Sequence, residues 1–237
     1  MSQLTRRALA EFVGTGFLVA AILGSGIAAT RLSPGQIGLQ LLENALITSG
    51  ALVALILALQ PVSAAFNPVV TVLERALGGI STREAAGLIV AQFGGGFAGA
   101  VLANLMFDLA AINLSTHHRT GSSLWLGEVV ATLGLLLVVF GTLRTGRAES
   151  VAFAVGGYIL AAYWFTSSTS FANPAVTVSR MYSNSFAGIA PASVAGFVLA
   201  QLAGTALGYG LIRGLYPNLP GPPVAAGSTP PARRIAT

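Results

Sequence analysis

The sequence predicts an all-α integral membrane protein: six transmembrane helices plus two half-membrane helices in an inverted repeat. Three observations predict it. Only 8% of the 237 residues are charged, 54% are hydrophobic and the mean hydropathy is +0.78. Uncharged apolar runs recur along the chain, each about 20 residues long and able to cross a hydrocarbon core about 30 Å thick. An Asn-Pro signature occurs twice at matching places, as Phe66-Asn67-Pro68-Val69-Val70-Thr71-Val72 and Ala172-Asn173-Pro174-Ala175-Val176-Thr177-Val178.

Taken in order, the apolar runs cover 8–30, 38–61, 84–106, 123–143, 151–167 and 191–212. Arg6 and Arg7 precede the first run as they would in a signal peptide. The repeat unit begins inside that run, at Glu11, which makes it a retained span. Between the second and third runs, and again between the fifth and sixth, an Asn-Pro signature opens a short helix. Asn caps a helix and Pro occupies its first position, so the helix starts abruptly. The half-helices are placed at 67–77 and 173–182. At about 1.5 Å per residue each reaches half-way across a bilayer.

The halves match beyond the signatures. Ala10-Glu11-Phe12-Val13-Gly14-Thr15 answers Gly127-Glu128-Val129-Val130-Ala131-Thr132, and Ala91-Gln92-Phe93-Gly94-Gly95 answers Ala200-Gln201-Leu202-Ala203-Gly204. Residues 1–114 form one repeat, 115–216 the other, and 217–237 a disordered cytoplasmic tail. Three spans per repeat invert the second copy relative to the first. Two positive helix ends then meet near the midplane from opposite faces.

All twelve basic residues are Arg. With the N-terminus cytoplasmic, nine lie inside and only Arg31, Arg119 and Arg180 outside, which favours cytoplasmic termini. The same distribution accounts for the net charge of +5 without nucleic acid. There is no Cys, so disulfides and thiolate chemistry are excluded. Glycines in the third and sixth runs, Gly94, Gly95, Gly96, Gly99, Gly204 and Gly208, permit close helix approach.

Six spans, inverted halves, two Asn-Pro half-helices and a Glu in the first span of each half together resemble the aquaporin, or major intrinsic protein, family over residues 6–214. The resemblance implies a multi-pass homotetramer in a bacterial inner membrane, each protomer holding its own pore, conducting passively with no cofactor, metal or catalytic residue. The pore motifs are then Asn67, Pro68 and Val69 with Asn173, Pro174 and Ala175. The Asn67 and Asn173 amides would donate to a solute losing water, while the half-helix dipoles reject cations.

The family's second signature is usually followed by a filter Arg; here Val176 stands there. Losing a guanidinium implies a wider, less polar gate. Arg180, one turn on, is expected nearer the interior or the rim rather than as a substitute. The remaining filter positions fall at Thr48 (or Ile47, Ser49), Ala161 (or Leu160) and Ser170 (or Thr169). Phe171 either restores an aromatic wall or packs in the loop. Val69 in place of Ala changes packing between the half-helices. These features resemble an arsenic-resistance-associated bacterial branch, implying as permeants glycerol-like polyols and neutral metalloids such as arsenite and methylated arsenicals, with some water. The alternatives are an ordinary water/glycerol aquaporin or a secondary transporter of small solutes.

Glu11 and Glu128 are ionisable residues inside membrane spans and so candidates for a proton relay. Their symmetric placement favours scaffolding instead: each carboxylate would accept from loop amides that lipid cannot satisfy. Gln92 and Gln201 read as interhelical hydrogen-bonders, His117 and His118 as solvated, and Glu74 with Arg75 as an ion pair or vestibule lining. A secondary transporter would need a coupling-ion site, yet Asp108, the only Asp, lies at a span end. A non-conducting junction protein would use the small residues for adhesion. No nucleophile, base and orienting partner can be assembled for an enzyme.

Overall fold

A computed structural model describes residues 1–217. Among the described residues eight α-helices are formed: α1 (Gln3–Leu32), α2 (Ile37–Leu59), α3 (Pro68–Ala76), α4 (Thr82–Met106), α5 (Ser122–Arg144), α6 (Val151–Phe165), α7 (Pro174–Ser179) and α8 (Pro191–Leu215). Six are long and apolar enough to cross a membrane, α6 together with the 3₁₀ turn Ala148–Ser150 before it. Among the described residues there is no strand, only an isolated bridge between Asn113 and Ser183. The tail expected to be disordered, 217–237, lies outside the described residues but for Pro217.

Local chemistry sets the helix starts. Ser2 caps α1 by accepting from the Thr5 N–H, and Ser81 caps α4 in a reciprocal box with Glu84. Pro191 opens α8. The half-helices begin one residue later than expected because the Asn are caps. The first ends at Ala76, short of 77, and the second is α-helical only to Ser179 before Arg180–Tyr182 tightens into a 3₁₀ turn.

Polar ties mark two ends of the bundle. At the proximal end, which carries the N-terminus, Arg7 reaches Glu74 at the end of α3 and Glu84 at the start of α4. Glu74 therefore pairs with Arg7 rather than with Arg75, whose Nε donates to Thr82 Oγ1 at 2.8 Å. At the distal end Arg31 donates to the Phe107 carbonyl, joining the last residues of α1 and α4. The α7 half-helix runs toward the distal end and α3 toward the proximal one.

Helices pack through glycine. A Cβ on Gly99 would stand 2.1 Å from the Gly16 carbonyl oxygen, so the α1 and α4 backbones touch. The interior mixes aliphatic residues with many buried polar ones, while Phe17, Phe153, Leu199 and Leu207 point outward, each more than half exposed. That inversion suits a lipid surround.

Candidate pore and filter

The two signatures are held by one construction used twice. Glu11, from α1, accepts from the Ala65 and Phe66 backbone N–H groups at 2.8 and 2.7 Å. Glu128, from α5, accepts from Phe171 and Ala172 at 2.8 and 2.9 Å. Gln92 donates to both Glu11 and Thr71; Gln201 donates to both Glu128 and Thr177. All six side chains are fully buried. Buried carboxylates satisfied by backbone N–H groups are what irregular backbone at membrane depth requires.

Phe66 and Ala172, the residues before each Asn, have φ of +50° and +46°. This left-handed backbone is unusual for a residue with a side chain, and it recurs at both equivalent positions. It accompanies a cross-tie: Asn67 Nδ2 donates to the Ala172 carbonyl at 2.8 Å, and Asn173 Nδ2 to the Phe66 carbonyl at 2.7 Å. Each Asn Oδ1 meanwhile caps its own helix, through Val69 N–H in one and Ala175 and Val176 N–H in the other. One N–H of each amide remains for a solute, half of what the side chain offers.

A cavity passes the signatures. Asn67 and Asn173 line it, as do the loop residues Ala64, Ala65 and Phe66, and most of its remaining wall is aliphatic, including Leu18, Leu52, Ile56, Val139 and Val155. Pro68, Val69, Pro174 and Ala175 are buried behind this wall and hold the half-helices. Thr48, Ser170 and Val176 line the cavity. Ser170 Oγ has no hydrogen-bond partner among the described residues. Of the three α2 alternatives, Ile47 is exposed, Ser49 donates to the Gly156 carbonyl, and Thr48 faces the cavity.

Ala161 is not in the lining. It sits on the exposed face of α6, and Ile159 and Tyr163 take the cavity side. A step of two residues along a helix turns a side chain through more than half a circle, so counting between loops of altered length selected the wrong face. Leu160 packs partly buried against the core.

Arg180, expected nearer the interior or the rim, is fully buried and also lines the same cavity as Val176. It opens the 3₁₀ turn at the end of α7 and lines both this cavity and a second one. Its Nε donates to the Ala187 carbonyl, and its guanidinium carbon lies 3.4 Å from the Phe171 ring centroid. Tyr163 stands beside it, with a hydroxyl 3.2 Å from Thr48 Oγ1. Phe171 serves both roles left open for it: it lines the cavity and packs edge-on against Phe197 at 5.0 Å.

A second, more distal cavity is lined by Ile37, Leu41, Asn44, Arg119, Thr169, Arg180 and Phe186. Arg119 holds the loop over it, donating through Nε and Nη2 to the carbonyls of Gly188 and Phe186. Burial keeps the Arg119 guanidinium below its usual pKa. Sequence reasoning passed over Tyr163 and Arg119. Tyr163 carries no motif, and Arg119 entered only as a loop charge. His117 and His118 are exposed in the same loop.

Comparison with known proteins agrees with this geometry. A family model described as major intrinsic protein matches residues 1–151. Over 213 residues the chain is 46% identical to aquaglyceroporin AqpS of Rhizobium meliloti (strain 1021), covering 90% of this chain and 91% of that one. The X-ray structure of the aquaglyceroporin from Plasmodium falciparum matches with a TM-score of 0.64 over 91% of this chain and 96% of that one. At 17% identity that second likeness concerns the fold.

Proposed function

Since the chain belongs to the major intrinsic protein family of membrane channels, we propose that it is a passive aquaglyceroporin-type channel for small uncharged solutes. Its permeants are glycerol-like polyols and neutral metalloids, arsenite and methylated arsenicals among them, with some water. The reading rests chiefly on the division of the wall between Val176 and Arg180. Beside the signatures the half-helix offers an aliphatic side chain, which leaves width. One turn farther out a guanidinium, Tyr163, Thr48 and Ser170 supply donors and acceptors against the flat face of Phe171. A polyol or trihydroxide presents hydroxyls on one side and a less polar flank on the other, which suits such a wall.

The filter is accordingly assigned to Thr48, Tyr163, Ser170, Phe171, Val176 and Arg180, and the gate is wide without being Arg-free. Rejection of cations comes from the two helix N-termini and from Arg180. The repeats divide at 114/115, within the loop after α4. The distal mouth is extracellular and both termini are cytoplasmic, in an inner membrane, by the excess of Arg at the proximal side. Four copies assemble, with lipid and neighbouring copies covering the outward hydrophobic face.

A permeability panel in proteoliposomes tests the proposal. Glycerol, arsenite and methylarsenicals should cross down their gradients with neither ions nor ATP. Flux of every solute equal to that of protein-free vesicles would sink it.

A further inference from the structure

We propose that the distal vestibule holds a binding site for a small soluble oxyanion, seated between Arg119 and Arg180, and that its occupation obstructs the neutral solutes' path.

Two guanidiniums share this vestibule without a carboxylate to match them. Both line one cavity, and both lie over the same ring, their CZ atoms 3.4 Å (Arg180) and 5.2 Å (Arg119) from the Phe171 centroid. The ion pairs among the described residues join Arg7 to Glu74 and Glu84, at the opposite end of the molecule. Glu128 lies behind the loop with its oxygens already taken by Phe171 N–H, Ala172 N–H and Gln201. Two like charges lining one cavity, one buried and one half-buried, repel each other, and an anion between them removes that penalty.

The donors are arranged for such a guest. Arg180 spends Nε on the Ala187 carbonyl and faces the Tyr163 hydroxyl with another N–H, and Arg119 spends Nε and Nη2 on Gly188 and Phe186. A guanidinium has five N–H groups, so each retains donors, and planar forks of this kind match carboxylate and phosphate oxygens. Thr169 adds a hydroxyl to the lining. Arg180 is only 2% exposed, so the guest must be small enough to leave bulk water and sit on the conduction path itself. A lipid headgroup, tethered to its chains outside the bundle, does not meet that requirement. The positive midplane bars the anion from going further.

Inorganic phosphate is the probe. Glycerol flux through proteoliposomes would be recorded with phosphate on both sides, at constant osmolarity and ionic strength, against chloride. Phosphate should slow wild-type flux severalfold and raise the melting temperature of the detergent-solubilised protein. In Arg119→Gln the phosphate midpoint should rise about tenfold or more, the loss of one charge-assisted contact. Arg119→Lys keeps the charge, and should stay much closer to wild type even if the loop loosens. Wild-type flux and melting that ignore phosphate would overturn the site, as would equal midpoints in the wild type and Arg119→Gln. The melting shift requires no conduction, so it reads the site even where no glycerol crosses and the proposed channel function fails.

Discussion

The Arg180 guanidinium carbon lies 3.4 Å from the centroid of the Phe171 ring, so the cation and the aromatic wall of the distal mouth form a single stacked unit. Val176 lies one helical turn before Arg180 and lines the same cavity. The chain that leaves the second signature therefore presents to one cavity first an aliphatic side chain and then, four residues on, a guanidinium.

Val176→Arg would place a second guanidinium four residues from the first, and like charges at that spacing repel. The variant should pass less glycerol while losing less water flux, because the added side chain narrows the wall. It should also be less stable than Val176→Arg combined with Arg180→Val. Stopped-flow shrinkage and thermal unfolding would check both. Unchanged relative rates of glycerol and water would place position 176 away from the constriction.

Tyr163→Phe removes the hydroxyl between Thr48 and Arg180 while keeping the ring. A net cost of about 1 kcal/mol is expected for one buried hydrogen bond. With Arg180 less firmly held, the glycerol-to-water ratio should shift. Ala161→Phe, on the exposed face, should leave that ratio as it is. The same flux assay on both variants compares them directly.

Glu11→Gln and Glu128→Gln each replace a carboxylate that satisfies two loop N–H groups and a Gln with a neutral amide whose single oxygen cannot serve them all. Each should cost about 2–4 kcal/mol, since buried charge-assisted bonds are lost together. The fraction folded after solubilisation should fall, with the surviving molecules still rejecting protons. A proton leak that vanished in either variant, with stability intact, would instead indicate a relay.

Gly99→Ala forces a methyl carbon against the Gly16 carbonyl, backbone on backbone. Overpacking of this kind costs about 1–3 kcal/mol. Gly157→Ala, where a Cβ meets nothing within 4 Å, serves as the comparison. Thermal unfolding of the two variants should separate them clearly.

The sequence alone determined what depends on local chemistry and on period. Lipid-length apolar runs marked the spans to within a few residues, because hydrocarbon admits no other composition. Asn followed by Pro marked both half-helix starts, because capping and a missing N–H act within a few residues. The matched Glu and Gln pointed to the scaffold around each loop, because a buried charge in a membrane must have a fixed partner.

Tertiary structure decided what depends on rotation and reach. Which face of α6 meets the pore depends on how that helix packs against α2, so Tyr163 lines the cavity and Ala161 points outward. Where the Arg180 guanidinium ends up depends on a 3₁₀ turn and on the Ala187 carbonyl that receives it. Left-handed backbone at Phe66 and Ala172 is held from outside, by Glu11 and Glu128 and by the opposite Asn. The crossed Asn bonds and the Tyr163–Thr48 contact join residues about a hundred positions apart, and spacing along the chain carries no record of them.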